Sequence, residues 1–259
     1  MNNIHLGVMI SAALEAGAKI EAIYGAGCAT ATKPDGSPVT EADTRAERII
    51  LARLAAAFPD IPVLAEEEAS AGRIPELGER FFLVDPLDGT KGFVARNGEF
   101  TVNIALIEAG AAVAGVVYAP DSRALYYGAR GEGAFRSLGG GPHEPIRARP
   151  RPVNGLTAIG SRNHRAQGTE TRLEMLGVTD FVPSGSSLKF CLLAEGSADI
   201  YPRYGTTMEW DTGAGQAVLE AAGGRVIALD GHVEVGPLRY AKKESGFANP
   251  HFIAWGLVD

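Results

Sequence analysis

The stretch Val84-Asp85-Pro86-Leu87-Asp88-Gly89-Thr90-Lys91 follows directly on an apolar run, Phe81-Phe82-Leu83-Val84. The run is short, aromatic and β-branched, so it predicts a buried strand that ends on two acids three residues apart. Pro86 restricts Asp85 to an extended conformation, and Gly89 permits a tight turn after Asp88. We therefore expect the two carboxylates to lie close together at the end of a strand.

Two like charges held this close repel each other unless a positive charge lies between them. A hard divalent cation would meet that need, because Mg²⁺ takes oxygen ligands and tolerates one or two carboxylates together with water. An acidic turn exposed to solvent is the alternative, since Asp, Pro and Gly are all common turn residues. The stretch by itself leaves both interpretations open.

The chain has 259 residues, which fits one large domain or two closely packed halves. Its 46% hydrophobic and 21% charged residues are typical of a soluble globular protein. With 24 Lys and Arg against 31 Asp and Glu, the net charge of −7 argues against a general binder of nucleic-acid backbones. Small phosphorylated ligands are not excluded, because a bound metal can invert the local field.

Cys28 and Cys191 are far apart in sequence and too few for a disulfide scaffold, so we expect a reducing cytoplasm. Residues 1–20 have no basic region followed by an apolar core, so we expect no signal peptide. No apolar run approaches the length of a membrane span.

The first half of the chain combines helices with an antiparallel meander. Thr40 with Asp43 resembles a capping box that begins the second helix, so helix capping is the local interpretation of Asp43. The predicted helices cover residues 4–24 and 40–58, and the predicted strands cover 61–65, 81–84, 101–107, 113–118, 124–128 and 131–135.

Three consecutive acids, Glu66-Glu67-Glu68, follow the predicted strand over residues 61–65. Such a run is commonly a solvated face or the start of a helix, where the helix dipole favours negative charge. If this strand neighbours the strand that ends at Asp85, a glutamate would join the two aspartates at one end of a sheet.

Residues 137–152 are rich in Gly, Pro and Arg and indicate a boundary, so we divide the chain into 1–140 and 141–259. Strands alternate with helices after it, which predicts a layered α/β unit. The predicted strands are 156–160, 181–182, 198–202 and 226–229, and the predicted helices are 169–176, 186–195 and 210–222. The small residues after Asp211 would let the last helix pack closely on a neighbour or let a ligand approach it.

Three acidic segments, Ala65-Glu66-Glu67, Asp85-Pro86-Leu87-Asp88-Gly89-Thr90 and Trp210-Asp211, occur together in this order. In this respect the chain resembles the inositol monophosphatase superfamily of Mg²⁺-dependent, lithium-sensitive phosphatases. Within that superfamily it is most similar to the bacterial 3'(2'),5'-bisphosphate nucleotidases. The stretches that carry this finer resemblance are 83–90, 97–107, 115–120 and 185–191.

The resemblance implies an α+β, layered αβαβα sandwich with a metal site at the junction of its two halves. It implies two to three Mg²⁺ ions, or Mn²⁺ in their place. The first ion would be held by Glu66, Asp85 and the Leu87 carbonyl, and the second by Asp85, Asp88 and Asp211. A third, weaker ion would lie near Glu66.

The resemblance also assigns catalytic roles to Glu66, Asp43 and Thr90, with the last two orienting the attacking water. Asp43 would then act both as a helix cap and in catalysis. The Gly89 and Thr90 amides would hold the phosphate. The implied substrate contacts are Asp88, Gly89, Thr90, Ser186, Ser187, Lys189, Arg203 and Asp211.

Arg203 bears on the substrate, because inositol-selective relatives carry an acid there and an arginine suits a second phosphate. A solvated arginine at a strand end is the alternative. The leading hypothesis is hydrolysis of adenosine 3',5'-bisphosphate to AMP and phosphate, a salvage step in sulfate assimilation. The alternatives are an inositol, sugar or histidinol monophosphatase and, from another class, a non-catalytic cation- or phosphate-binding protein.

The chain departs from the family pattern at three positions, Ala65, Gly92 and Glu209, none of which is an expected metal ligand. The family also favours a homodimer, and peripheral association with the inner membrane is a further expectation drawn from it. No segment of the sequence itself tests either one.

Overall fold

The computed structural model describes residues 4–33, 36–161 and 173–257. Its labelled helices are α1 (Ile4–Ala26), α2 (Glu41–Ala57), α3 (Glu66–Ser70), α4 (Thr90–Val94), α5 (Leu188–Ala194) and α6 (Gly213–Ala221). Short 3-10 turns lie at Glu209–Asp211 and Lys243–Ser245, and residues 173–175 are also helical.

The strands form a two-stranded hairpin, a seven-stranded sheet and a six-stranded sheet. The hairpin consists of β1 (Thr30–Thr32) and β2 (Pro38–Thr40). The first large sheet consists of β3 (Val63–Ala65), β4 (Arg80–Asp88), β5 (Thr101–Glu108), β6 (Ala111–Ala119), β7 (Ala124–Ala129), β8 (Gly133–Leu138) and β9 (Glu144–Ile146). The second consists of β10 (Leu156–Gly160), β11 (Val178–Pro183), β12 (Ile200–Arg203), β13 (Arg225–Asp230), β14 (Val233–Pro237) and β15 (Phe252–Trp255).

The seven-stranded sheet runs in chain order from β3 to β9, and only its β3–β4 pair is parallel. The predicted antiparallel meander is therefore confirmed. Because side chains alternate across a strand, Phe81 and Leu83 face one side while Phe82 and Val84 face the other. Both faces are buried, which explains why β4 is a continuous apolar run.

Helices α1 and α2 pack against each other and cover one face of this sheet. In α1, Leu6, Met9 and Ile20 are fully buried at helical spacing. Burying each such side chain stabilises the fold by roughly 1.5–3 kcal/mol. In α2 the buried stripe also contains two acids, Asp43 and Glu47, which makes this helix more than a packing element.

Helices α5 and α6 lie between the two large sheets. The small residues of this region serve close packing: a Cβ atom added to Gly115 of β6 would lie 2.3 Å from the Ala214 carbonyl oxygen of α6. A Cβ on Gly215 would similarly lie 2.4 Å from the Phe190 ring. The small residues after Asp211 therefore allow α6 to approach its neighbours closely.

The six-stranded sheet has the order β11-β10-β12-β15-β13-β14. Strands β11, β10 and β12 are parallel to one another, whereas the β12–β15, β15–β13 and β13–β14 pairs are antiparallel. On its outer face Leu173 and Leu176 pack against the buried cluster that contains Leu156 and Ile200. The predicted layered α/β architecture is therefore confirmed.

Several boundaries differ from the sequence prediction. The first sheet continues to Ile146, beyond residue 140, because β9 pairs with β8; the division at 140 stays a prediction. The helix expected from Trp210 is wrong at its start, since a 3-10 turn covers Glu209–Asp211 before α6 begins at Gly213. The predicted helix 169–176 lies partly outside the described residues.

Five short strands were not predicted: β1, β2, β9, β14 and β15. Each has three to five residues, too few to show a period. β15 nonetheless lies in the middle of the second sheet, between β12 and β13. Among the described residues no helix is both long and apolar enough to cross a bilayer.

Replacing Gly115 with alanine should destabilise the protein, because the added methyl group would meet a backbone oxygen of α6 that cannot rotate away. We expect a loss of about 1–3 kcal/mol, measured by urea unfolding. Gly7→Ala is the matched control: it lies on an exposed position of α1 with no atom near its Cβ, so the same change should be neutral or stabilising. Equal stability of the two variants would contradict the close-packing interpretation.

Candidate active site

The end of β4 carries two of the expected acids and is shaped by a break in register. Asp85 lies opposite Asn103 of β5 and Asp88 opposite Thr101, with the register shift between them. The strand continues from the apolar run through Pro86 to Asp88, so the predicted strand end on the two acids is confirmed. Pro86 is tolerated because β3 pairs with β4 only as far as Val84 and needs no donor there.

The expected tight turn follows at Gly89, whose φ of 91° lies in the left-handed region. A Cβ atom at this position would lie 2.6 Å from the Glu99 carbonyl oxygen, so only glycine fits. The chain then begins α4 at Thr90. The turn places the Gly89 and Thr90 amides next to the acids of β4.

Three carboxylates converge between the two sheets. One oxygen each from Asp85, Asp88 and Asp211 lies within 4.8 Å of the others. Asp211 comes from the 3-10 turn, where its side chain accepts the Met208 amide at 2.8 Å. This oxygen-only set suits a hard divalent cation, so the residues present fit the metal that the resemblance implied.

Burial and mutual repulsion raise the pKa values of the three clustered acids. Burial, followed by the charges of Glu66, Asp88 and Asp211, raises the pKa of Asp85 well above its usual range. Burial and the neighbouring Asp88 charge raise the pKa of Asp211 to about 8. Burial also raises the pKa of Asp88, although the Lys189 charge opposes this shift. Burial and mutual repulsion therefore favour the protonated forms of these acids unless a cation balances their charge.

Glu66 is brought to the cluster by the parallel pairing of β3 with β4, which aligns Ala65 with Val84. The predicted adjacency of these strands is confirmed. The Lys33 ammonium group lies 2.7 Å from the Glu66 carboxylate and 2.6 Å from that of Glu67. Lys33 thus supplies a counter-charge that sequence reasoning missed, because a separate hairpin delivers it.

Asp43 divides its two carboxylate oxygens between two tasks. Oδ2 accepts the Thr40 amide at 2.8 Å and the Thr40 hydroxyl at 2.7 Å, which confirms the predicted capping box. Oδ1 accepts the Thr90 hydroxyl at 3.1 Å. The same hydroxyl lies 3.2 Å from the Leu87 carbonyl oxygen. Helix capping and a contact with Thr90 therefore coexist in one side chain.

Two cationic side chains, Lys189 and Arg203, line a cavity together with Asp88 and Asp211. Lys189 is buried and donates to the Ser186 carbonyl oxygen, and burial lowers its pKa to about 8 despite the nearby Asp88 charge. Arg203 donates from Nη2 to the Thr206 carbonyl oxygen at 3.1 Å, while its Nε is buried and has no hydrogen-bond partner among the described residues. Within the part of the chain that the structure describes, the buried Ser186 hydroxyl has no partner either. These groups retain hydrogen-bonding capacity for a ligand.

Ser187 is 1% exposed and does not face the open cleft. Its hydroxyl accepts the Asn103 side-chain amide at 2.9 Å and lies 3.2 Å from Asp88 Oδ2 and 2.8 Å from the Asp211 carbonyl oxygen. The Ser187 hydroxyl therefore connects Asp88 to the segment that carries Asp211, and its expected contact with substrate stays a prediction.

Two adjoining cavities give access to these groups. The larger, of about 620 Å³, is lined by residues that include Glu66, Asp88, Thr90, Arg203 and Asp211. The smaller, of about 150 Å³, shares Asp88, Arg203 and Asp211 and adds Lys189. A ligand could therefore contact the acids and both cations at once.

The three sequence departures have local explanations. Glu209 is fully buried and accepts the amides of Ala241 and Lys242, each at 2.8 Å, so it fixes the loop behind Trp210. A Cβ atom on Gly92 would lie 2.7 Å from the Asn97 side-chain oxygen, which leaves no room for a larger residue. Ala65 is the fully buried residue that precedes α3.

Comparison with known proteins identifies relatives over nearly the whole chain. Residues 5–255 match the sequence model of the Inositol monophosphatase family. The 3'(2'),5'-bisphosphate nucleotidase CysQ of Salmonella typhimurium is 48% identical over 223 residues, which cover 86% of this chain and 87% of that protein. The protein of the same name from Escherichia coli K12 is 46% identical over 222 residues, covering 85% and 86%.

Solved structures agree with these relatives. CysQ from Bacteroides thetaiotaomicron superposes with a TM-score of 0.78 at 38% identity, covering 96% of each chain. The inositol monophosphatase from Anabaena gives a TM-score of 0.75 at 27% identity, covering 98% of this chain and 90% of that one.

The buried acids predict that stabilisation by a divalent cation grows with pH. Folding raises the pKa of Asp211 from about 3.8 to about 8. The stabilisation linked to this shift is fully present below pH 3.8 and is lost as the pH rises towards 8. A cation replaces the proton, so it offsets this loss. Melting temperatures with and without millimolar divalent cation should therefore differ more at about pH 8 than at about pH 5.

At each pH, subtracting the melting temperature without cation from that with cation cancels the effect of groups that titrate away from the site. Asp88→Asn should reduce this increment in melting temperature, and Asp230→Asn, an exposed acid at the end of β13, should not. An increment that stays constant over this pH range would contradict the argument.

Proposed function

The chain belongs to the inositol monophosphatase family, and from that premise we propose that it hydrolyses adenosine 3',5'-bisphosphate to AMP and phosphate. The observation that carries the choice of a bisphosphate is the placement of Lys189 and Arg203 in a cavity that also contains Asp88 and Asp211. Anionic substrates with two phosphates need two binding regions, one at the reacting phosphate and one at a distance from it. The names of the CysQ relatives support the same substrate.

The acids and the Leu87 carbonyl would hold the cations, for which we propose Mg²⁺ in two or three positions, with Mn²⁺ as a substitute. Carboxylate and carbonyl oxygens favour these ions over zinc. When bound, such cations supply charge neutralisation, activation of water and stabilisation of the leaving oxygen. The ligands in the proposal are Glu66, Asp85, Leu87, Asp88 and Asp211.

Asp43 and Thr90 would orient the attacking water. With the Thr90 hydroxyl proton donated to Asp43 Oδ1, the lone pairs of Thr90 Oγ1 can accept a hydrogen bond from water. Asp43 is itself fixed by two donors from Thr40, so this orientation is preorganised. The Gly89 and Thr90 amides would hold the transferred phosphate at the start of α4.

Lys189 and Arg203 would hold the second phosphate, together with Ser186. The buried Arg203 Nε and Ser186 hydroxyl, which contact no hydrogen-bonding group of residues 4–33, 36–161 and 173–257, would gain hydrogen bonds to phosphate oxygens. Lys189 would add a charge that the ligand stabilises. This subsite has no use in hydrolysing an inositol or sugar monophosphate, which is the second candidate on this fold. A non-catalytic binding protein would have no need of the Asp43 and Thr90 pair.

Asp88→Asn should abolish phosphate release, because a neutral amide at this position removes one of the proposed carboxylate ligands and so weakens cation binding. We expect kcat to fall more than about 100-fold, because mutating a residue that only contacts a metal ligand already costs about 10- to 100-fold. Phosphate release is measured at saturating Mg²⁺, and circular dichroism checks the fold. Asp230→Asn serves as the control, and a folded Asp88→Asn variant with normal turnover would reject the mechanism.

Arg203→Ala should impair the bisphosphate selectively. A charge-assisted hydrogen bond of about 1.5–3 kcal/mol corresponds to a loss of roughly 10- to 150-fold in kcat/KM for adenosine 3',5'-bisphosphate. Adenosine 3'-monophosphate lacks the second phosphate, so its kcat/KM should hardly change. Arg225→Ala, a remote exposed arginine, should affect neither substrate.

The same assay tests the choice of substrate. The wild-type protein should turn over the bisphosphate faster than inositol 1-phosphate. Faster turnover of the inositol ester, or an equal loss for both adenosine substrates in Arg203→Ala, would overturn the assignment of the second phosphate site.

A further inference from the structure

The short helix α3 depends on another helix for its N-terminal hydrogen bonds. It has five residues, and Ala65, the residue before it, offers no side-chain cap. The Glu67 and Glu68 amides instead donate to the two carboxylate oxygens of Glu47 on α2, at 2.8 and 3.0 Å. Glu47 is 3% exposed, so these two amides are its main source of stabilisation.

The surroundings of Glu47 disfavour a charged carboxylate. Glu47 lies beside the charges of Glu67 and Glu68, and burial together with those charges raises its pKa to about 7 even though both amide bonds lower it. Three acids already lie in the first turn of α3, so the helix does not need the negative charge of Glu47 as well. What Glu47 provides is geometry, because its two oxygens bind two successive amides in one fixed orientation.

The geometry matters because Glu66 is the first residue of α3 and an expected cation ligand. A five-residue helix is too short to be stable without outside contacts. Pairing of β3 with β4 fixes the chain only up to Ala65. The direction in which the Glu66 side chain leaves the strand is therefore set by the turn that Glu47 holds.

Glu47 also follows Asp43 by one helical turn, so both acids lie on the same buried face of α2. Asp43 contacts Thr90 at one side of the cleft, and Glu47 contacts α3 at the other. A single rigid helix thus supports the water-orienting side and the Glu66 side of the site.

We propose that Glu47 is a positioning residue for cation binding: its carboxylate holds the first turn of α3 so that Glu66 is aimed at the Asp85, Asp88 and Asp211 cluster. This inference rests on the cation site of the proposed function, and it assigns Glu47 no contact with substrate.

The test is Glu47→Gln, which keeps the shape of the side chain. Its single amide oxygen can accept only one of the two backbone amides, and its NH₂ group would face the other donor. Binding of Mn²⁺ to the metal-free protein is measured by titration calorimetry, and the Mg²⁺ dependence of phosphate release is measured separately. We expect the dissociation constant for Mn²⁺ and the half-saturating Mg²⁺ concentration each to rise about 10-fold or more, with the substrate KM at saturating Mg²⁺ unchanged.

Two further variants separate positioning from general stability. Glu68→Gln changes an acid of the same helix that pairs with Arg73 at the surface, and it should leave Mn²⁺ affinity unchanged. Ala65→Ser adds an N-cap at a residue whose backbone is already extended, so Glu47→Gln/Ala65→Ser should recover Mn²⁺ affinity.

A folded Glu47→Gln variant with wild-type Mn²⁺ affinity would overturn the proposal, as would a double variant that recovers melting temperature but not Mn²⁺ affinity. If Glu47→Gln does not fold, Glu47→Asp replaces it: the shorter carboxylate reaches the amides less well, and unchanged Mn²⁺ affinity would count against the role. Because Mn²⁺ binding is measured without substrate, loss of the proposed hydrolysis would not be mistaken for failure of this inference.

Discussion

The mutual repulsion of buried carboxylates is the constraint on which the rest of this structure depends. Asp85, Asp88 and Asp211 place oxygens within 4.8 Å of one another, and Glu66 adds its charge to theirs. Such a group is stable only with protons, cations or neighbouring ammonium groups to balance it. The fold holds these acids together at the junction between its two sheets, where the proposed cations would balance their charge.

The surrounding elements keep the acids together against that repulsion. A register break lets Asp85 and Asp88 leave one strand close together, and Ser187 and Asn103 connect Asp88 to the segment that carries Asp211. Glycines such as Gly115 bring α6 close to the first sheet. Tight packing therefore serves function here, because it limits how far the acids can move apart when no cation is bound.

Positively charged side chains lie on two sides of the acidic cluster. Lys33 lies against Glu66 on one side, and Lys189 and Arg203 lie beyond Asp88 and Asp211 on the other. The two sides have different consequences: Lys33 balances an acid of the protein, whereas the side with Lys189 and Arg203 retains hydrogen-bonding groups without partners in the described structure. These remaining donors are what favours a second phosphate in the substrate.

The sequence by itself determined what depends on neighbours along the chain: the opening helix, the capping box of Thr40 and Asp43, the meander and the turn at Gly89. These follow from periodicity and from the conformational limits of single residues. The resemblance to known phosphatases named the acids, but not what holds them. Only the tertiary structure decided that Lys33 pairs with Glu66, that Ser187 contacts Asp88, and that Glu47 caps α3. Those contacts join segments more than about a dozen residues apart, and their formation depends on which strands and helices become neighbours, a choice that local sequence patterns do not encode.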